Sequence, residues 1–229
     1  MSSARDAILT NIRTSLRRGH LTADQASQIE HGLLAPRPNV IPARARASGR
    51  ERVDRFVEEA ERVSATVARV ATPANVPGAI ADYLAEHNLP ANLKVAPDPA
   101  LDDIPWSDQP TLCIVKGRGE ESDAVSITAA FVGVAETGTL ILLSGPEHPS
   151  TLNFLPETHI VVLRADQLVG SYEDAWSQLR ARGLGMPRAV TMVTGPSRTA
   201  DIEQTLQLGA HGPRRLHIVL IDDKGDVRQ

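Results

Sequence analysis

From Glu51 onward, short apolar runs alternate with amphipathic segments, and this alternation admits few architectures for the chain. The spacing predicts helices over residues 52–64, 76–87, 172–182 and 199–206. Val53, Phe56, Val57, Ala60 and Val63 mark one face of the first of these. Strands are predicted over 66–71, 93–96, 111–115, 159–164, 189–193 and 216–221, with further apolar runs at 124–134 and 139–143. Runs such as IVVL and HIVLI are apolar on consecutive positions, the pattern of strands covered on both faces in a mostly parallel sheet. The expectation is an α/β fold: an open, mostly parallel sheet of at least seven strands with helices on both faces. A chain of 229 residues is long enough to bury roughly 70% of its unfolded surface in such a core.

The first fifty residues read differently. Ala4, Ile8, Ile12 and Leu16 recur at helical spacing, with Gly19 placed to end that helix. Thr22 and Gln25 match a capping box at the start of a second helix, whose stripe is Ala26, Ile29 and Leu33. The stretch APRPNVIPARARASG holds three prolines and three arginines without a sustained period, as a linker or extended arm would. The expected division is a helical arm over 1–34, an Arg/Pro-rich linker over 35–50 and an α/β domain over 51–229.

Charge follows the same division. Residues 1–69 carry 12 Arg against 8 acids, whereas residues 70–229 carry 12 basic residues against 20 acids. The basic segment has no Lys, one aromatic residue (Phe56) and arginines interleaved with Asp and Glu, which argues for docking on an acidic body or a neighbouring subunit and against nucleic acid. Homo-oligomerisation is open to it. No run approaches the ~20 apolar residues of a membrane-spanning helix, and the first twenty residues lack the apolar core of a secretory signal, so no membrane insertion and a cytoplasmic location are expected. The single cysteine, Cys113, can supply neither an internal disulfide nor a cluster site, and within TLCIV it reads as a buried small hydrophobe.

Three segments could carry chemistry. In TGPSRTADIE, Gly195 allows a sharp turn, Pro196 preorganises it, and Ser197 or Thr199 can cap the helix expected next. The free N–H groups of such a helix, with the planar fork of Arg198, suit a phosphate or carboxylate at the carboxyl end of a strand. Plain helix capping, with Arg198 paired to Asp201 or Glu203, accounts for the same residues. In AETGT, Glu136 beside Gly138 and Thr139 could anchor a ligand or act as general base or nucleophile, or simply top a β-turn. The loop SGPEHPSTLNFLP is rich in turn residues of the kind that line pockets. His211, in GAHGP, is the histidine best placed to face a ligand; a turn histidine bonding a carbonyl is the alternative. His148 and His159 are eleven apart and His211 and His217 six apart, without the spacing of a helical zinc site, so no metal is expected.

Taken in order, AETGT, PSTLNFLPETHIVVL, TGPSRTADIE and LGAHGPRRLHIVLIDD resemble the lactate utilization protein C family, the LUD domain, over roughly residues 52–223. The resemblance implies a fold similar to the NagB/RpiA/CoA-transferase-like superfamily. It also implies a part in oxidising L-lactate to pyruvate, in a three-protein system whose other members carry cysteine-rich iron–sulfur motifs. With one cysteine, this chain is similar to the cluster-free component, and no cofactor is expected in it. AETG is also somewhat similar to the Ser-Glu-Asn-Gly turn of CoA transferases, which would make Glu136 a nucleophile, although Thr137 stands where that turn has Asn. The expected role is an accessory or substrate-handling subunit that binds a small carboxylate near Glu136, Ser197, Arg198 and Thr199. An enzyme acting on a sugar phosphate or acyl-CoA, or a regulatory binding protein for a small acid, are the alternatives. Because two short helices cannot form a core alone, deleting residues 1–49 is expected to alter the oligomeric state more than the fold; sedimentation of the truncated chain checks this, and an unchanged profile refutes it.

Overall fold

The computed structural model describes residues 3–17, 19, 21–34, 36, 39–199, 207–208 and 211–223. The chain divides into two compact units, Met1–Val40 and Ile41–Gln229. In the first, α1 (Ala4–Ser15) starts at a capping box in which Ser3 Oγ accepts from the Asp6 amide and Asp6 Oδ2 accepts from the Ser3 amide. The expected box at Thr22 and Gln25 opens α2 (Ala23–Leu34): Gln25 N donates to Thr22 Oγ1 at 3.2 Å, and Thr22 N donates to Gln25 Oε1 at 3.0 Å. Each box satisfies backbone donors that lack intrahelical acceptors.

In the second unit, α3 (Gly49–Arg62) leads to β1 (Thr66–Val70), α4 (Val76–Glu86), β2 (Asn92–Val95) and β3 (Cys113–Lys116). After these come β4 (Val125–Ala129), β5 (Val132–Val134), β6 (Thr139–Leu143), β7 (Thr158–Arg164) and β8 (Leu168–Val169). The unit continues with α5 (Tyr172–Ala181), β9 (Val190–Val193), β10 (Arg198–Thr199), β11 (Gln207–Leu208) and β12 (Arg215–Ile221). Part of the Arg/Pro-rich stretch belongs here. Ala45 and Ala47 are buried, and Arg52 donates to the carbonyls of Ala47 (3.0 Å) and Leu168 (3.1 Å), tying the segment ahead of α3 to β8.

Six strands form one wholly parallel sheet in the order β1-β12-β7-β4-β2-β3. Among the described residues it has six strands and not the seven or more expected. The apolar run at 124–134 breaks after β4, and β5, β6, β8 and β9 build a separate four-stranded sheet, β8-β5-β6-β9, in which only β5 and β8 run parallel. β6 shows why its pattern resembled a parallel strand. Leu140 and Leu142 pack against the large sheet and α3, while Ile141 and Leu143 pack with α5, so an antiparallel strand is buried on both faces.

The layers follow from side-chain parity along β12 and β7. Val219, Ile221, Ile160 and Val162 face Val76, Ile80, Tyr83 and Leu84 of α4. Ile218, Leu220, Val161 and Leu163 face Val53, Phe56 and Ala60 of α3 and the inner face of the small sheet. Helices thus cover both faces of the parallel sheet. β3 is an edge strand, and Cys113 and Val115 are exposed on it, which corrects the reading of Cys113 as buried: the apolar string TLCIV lies where one flank has no neighbouring strand.

Two glycine turns join the small sheet to α3. Gly138, in the β5–β6 turn, has φ +64°, and a Cβ there would lie 2.6 Å from Ala60 Cα. Gly195, after β9, has φ +76°, and a Cβ would meet the carbonyl oxygen of Val63, the residue that ends α3. Gly138→Ala combines an unfavourable φ with overlap against a helix backbone and is expected to cost more than about 2 kcal/mol, read by urea unfolding. A loss within ~0.5 kcal/mol would refute that packing.

Two histidines are buried in the parallel sheet. His217 stacks on Tyr83 with ring centroids 3.9 Å apart, and burial pushes its pKa down to about 4. Burial pushes His159 down to about 3. An unfolded histidine takes its proton near pH 6.5. The unfolded chain therefore binds more protons below that value, and stability present above about pH 6.5 is lost as pH falls toward these lowered values. Each contributes about 2 kcal/mol of destabilisation at pH 5. His217→Gln is expected to flatten the fall in urea midpoint between pH 8 and pH 5 by one proton's worth; an equally steep fall in the variant would contradict this.

Candidate functional site

The motifs singled out in the sequence converge where β9 ends and β7 and β12 begin. Ser197 N donates to the Pro213 carbonyl at 2.8 Å, fastening the turn after β9 to the turn before β12. Between them lies a cavity of about 160 Å³ whose wall includes Asn153, His159, Thr194, Gly195, Ser197 and His211. Asn153 comes from a 3-10 turn (Ser150–Asn153) and is buried, as is Gly195, while His211 is exposed at the rim.

His159 is the principal polar group of this wall and is only 1% exposed. Its Nε2 lies 2.8 Å from Thr128 Oγ1, whereas Nδ1 is buried without a partner among the described residues. Burial holds the ring neutral, with one N–H and one acceptor nitrogen. A buried polar atom without a partner is costly and uncommon in a folded protein, and here its ring borders a cavity. The sequence reading used His159 only to weigh metal spacing and set it aside. The signal that points to it is a histidine and a threonine opening an otherwise apolar strand, THIVVL.

A chain of hydroxyls backs the cavity. Thr194 Oγ1 is 2.7 Å from Thr139 Oγ1, which also contacts Tyr172 OH at 2.8 Å and Thr137 Oγ1 at 2.7 Å. Thr139 thus connects the AETGT turn to the cavity wall without lining it, and Gly138 serves the packing on α3. Glu136 sits behind this chain, 6% exposed. Its Oε1 accepts from the Tyr172 amide at the start of α5 (3.2 Å), and its Oε2 lies 3.7 Å from Arg44 Nε. A carboxylate on the first amide of a helix complements the helix dipole, so Glu136 anchors α5 and is not part of the cavity wall.

The TGPSRT segment differs from expectation in two ways. Arg198 and Thr199 are extended and pair antiparallel with Leu208 and Gln207, so no helix begins at Thr199. Most of the helix expected over 199–206 lies outside the described residues. Ladder pairing uses backbone groups that a helix N-terminus would have left open to an anion. Arg198 is exposed and does not line the cavity; its Nη2 donates to the Val63 carbonyl at 3.4 Å. The cavity also lies at the amino ends of β7 and β12 and not at the carboxyl end of a parallel strand, because β9 belongs to the antiparallel sheet and runs back toward that end. Gly195, Ser197 and His211 are therefore brought together, while Glu136, Gly138, Thr139 and Arg198 take supporting positions.

Among the described residues, no group of three or more His, Cys, Asp or Glu side chains is placed to hold a metal ion, and no helix is long and apolar enough to cross a membrane.

The fold is similar to the crystal structure of a DUF162 family protein from Deinococcus radiodurans, with a TM-score of 0.56 and 24% identity over 76% of this chain and 99% of that one. An uncharacterized protein of Neisseria meningitidis serogroup B is 42% identical over 94 residues, 41% of this chain and 40% of that protein. Lactate utilization protein C of Bacillus subtilis is 33% identical over 107 residues, 45% of each chain. The matched stretch spans less than half the length of these curated relatives. The LUD domain family matches residues 118–221, a span that takes in β4 through β12 and every wall residue named for the cavity. Over residues 118–221, a little under half of the chain, the sequence thus matches the LUD domain family.

Proposed function

We propose that this chain acts in lactate utilization as a cluster-free component that binds a small carboxylate in the cavity of His159, Ser197 and His211. The supporting observation is that His159 Nδ1 has no partner among the described residues and lies beside a cavity whose named wall residues fall within the span matched by the LUD domain family. A volume of about 160 Å³ lies below the ~300–1,000 Å³ of drug-sized pockets and suits a molecule of a few heavy atoms. The imidazole, the Ser197 hydroxyl and the Asn153 amide offer hydrogen bonds to a carboxylate and a 2-hydroxyl or 2-keto group, and bonds to an ionised acceptor are the stronger kind.

The finer reading concerns the reaction. Oxidising L-lactate to pyruvate removes two electrons and two protons. A histidine held near pKa 3 is a poor base at neutral pH, and the chain carries one cysteine. We infer that this chain binds and positions, and that iron–sulfur partner proteins receive the electrons, with the arginine-rich segment as a docking element. Glu136, committed to the start of α5 and to Arg44, serves better as an anchor than as a CoA-transferase-type nucleophile.

Calorimetric titration of the full chain with L-lactate and pyruvate tests the binding step. His159→Gln and Ser197→Ala are each expected to weaken binding about tenfold, with Arg198→Gln unchanged. Absence of binding by both acids, together with normal lactate growth of the host after deletion of the gene, would overturn the reading.

A further inference from the structure

A second cavity, of about 590 Å³, opens elsewhere on the α/β unit and is lined by Arg118, Ser144, Gly145, His148, Ser150 and Arg188, among others. It borders the carboxyl ends of β2 and β3. Arg118 follows β3 by two residues, and Gly117 N donates to the Val95 carbonyl at the end of β2 (3.0 Å). Ligands of open parallel sheets gather at this end of the strands.

The backbone beside each arginine is fixed, and the guanidinium is left uncommitted. Gly119 N donates to Thr151 Oγ1 at 3.0 Å, holding Arg118 against the loop after β6. Ala189 N donates to Ser144 Oγ at 2.8 Å, and Ser144 N donates to the Ala189 carbonyl at 3.0 Å, holding Arg188 against the start of the same loop. Both arginines are exposed, and neither has an ion-pair partner among the described residues, where other arginines of this unit, such as Arg62, Arg69 and Arg164, do. The same cavity is lined by His148, whose Nδ1 lies 3.0 Å from Asp98 Oδ2. The hydrogen bond that His148 donates to Asp98 raises the pKa of His148 and favours its charged form. No carboxylate side chain lines the cavity, and Glu147 of the same loop is exposed outside its wall.

Like charges held in one concave wall repel one another unless an anion lies between them. Two guanidinium forks carry paired donors matched to phosphate oxygens. The volume falls within the range of small-molecule sites, and among the described residues no Phe, Tyr or Trp lines it. We propose that the cleft lined by Arg118 and Arg188 is a binding site for a small phosphorylated compound, separate from the cavity at His159. It shares with that cavity only the loop between β6 and β7, which contributes Ser150 to one and Asn153 to the other.

The test is calorimetry on the full chain with pyrophosphate and glycerol 3-phosphate at 150 mM salt. Wild type is expected to bind at least one of them with submillimolar affinity. Arg118→Gln and Arg188→Gln should each weaken binding about tenfold or more, and the double variant should abolish it. Neither substitution removes an ion pair among the described residues, so thermal melting should show both variants folded as wild type. Arg198→Gln, at an exposed arginine outside the cleft, should leave affinity unchanged, and so should saturating L-lactate. Failure of both probes to bind wild type, binding that survives the double variant, or equal loss in Arg198→Gln would each overturn the proposal. None of these results depends on whether the chain binds lactate.

Discussion

The close approach of two glycine turns to the end of one helix is the contact on which the rest of the α/β unit depends. Gly138 lies against Ala60 and Gly195 against Val63, with no room for a side chain at either turn. The small sheet is therefore held at a fixed height above the parallel sheet, with Phe56 fully buried in the layer between them. Close-packed interiors transmit such constraints because few gaps exist to absorb a displacement. Thr194 and Ser197, which flank Gly195, take their positions from the same contact, and so does the wall they form opposite His159.

Polar groups in this interior fall into two kinds. Some are satisfied and structural: Glu136 caps α5, Thr66 meets His217, and Ser126 donates to the Leu152 carbonyl at 2.7 Å. Others are buried without a partner, and of these only His159 borders one of the cavities described, since Thr158 and His217 face the layer of α4. Neutral, desolvated histidines make the fold depend on pH, while the exposed arginines of the second cleft cost little to maintain in water. One end of the parallel sheet thus presents neutral hydrogen-bonding groups in a small cavity, and the other presents, in a larger one, two arginines without an ion-pair partner among the described residues.

Much of this was legible in the sequence. The capping box at Thr22 and Gln25, the apolar face of α3, the α/β alternation and the resemblance to the LUD domain all follow from local patterns that the structure and the relatives reproduce. Gly195, Ser197 and His211, which turn chemistry singles out, line the small cavity. What escaped was relational. A run of consecutive apolar residues says that a strand is covered on both faces and not by what, so β6 read as one more parallel strand. An apolar string says nothing of an open edge, so Cys113 read as buried.

The sequence by itself determined the elements, their apolar faces and the turn residues, because these depend on neighbours a few positions apart. Only the tertiary structure decided that the strands divide between two sheets, that β9 delivers TGPS to the amino ends of β7 and β12, and that Arg198 bonds the Val63 carbonyl while Arg118 and Arg188 stand without an ion-pair partner among the described residues. Whether a polar atom is satisfied is a property of the whole fold, since its partner can lie anywhere along the chain: His159 finds Thr128 at Nε2 and nothing at Nδ1.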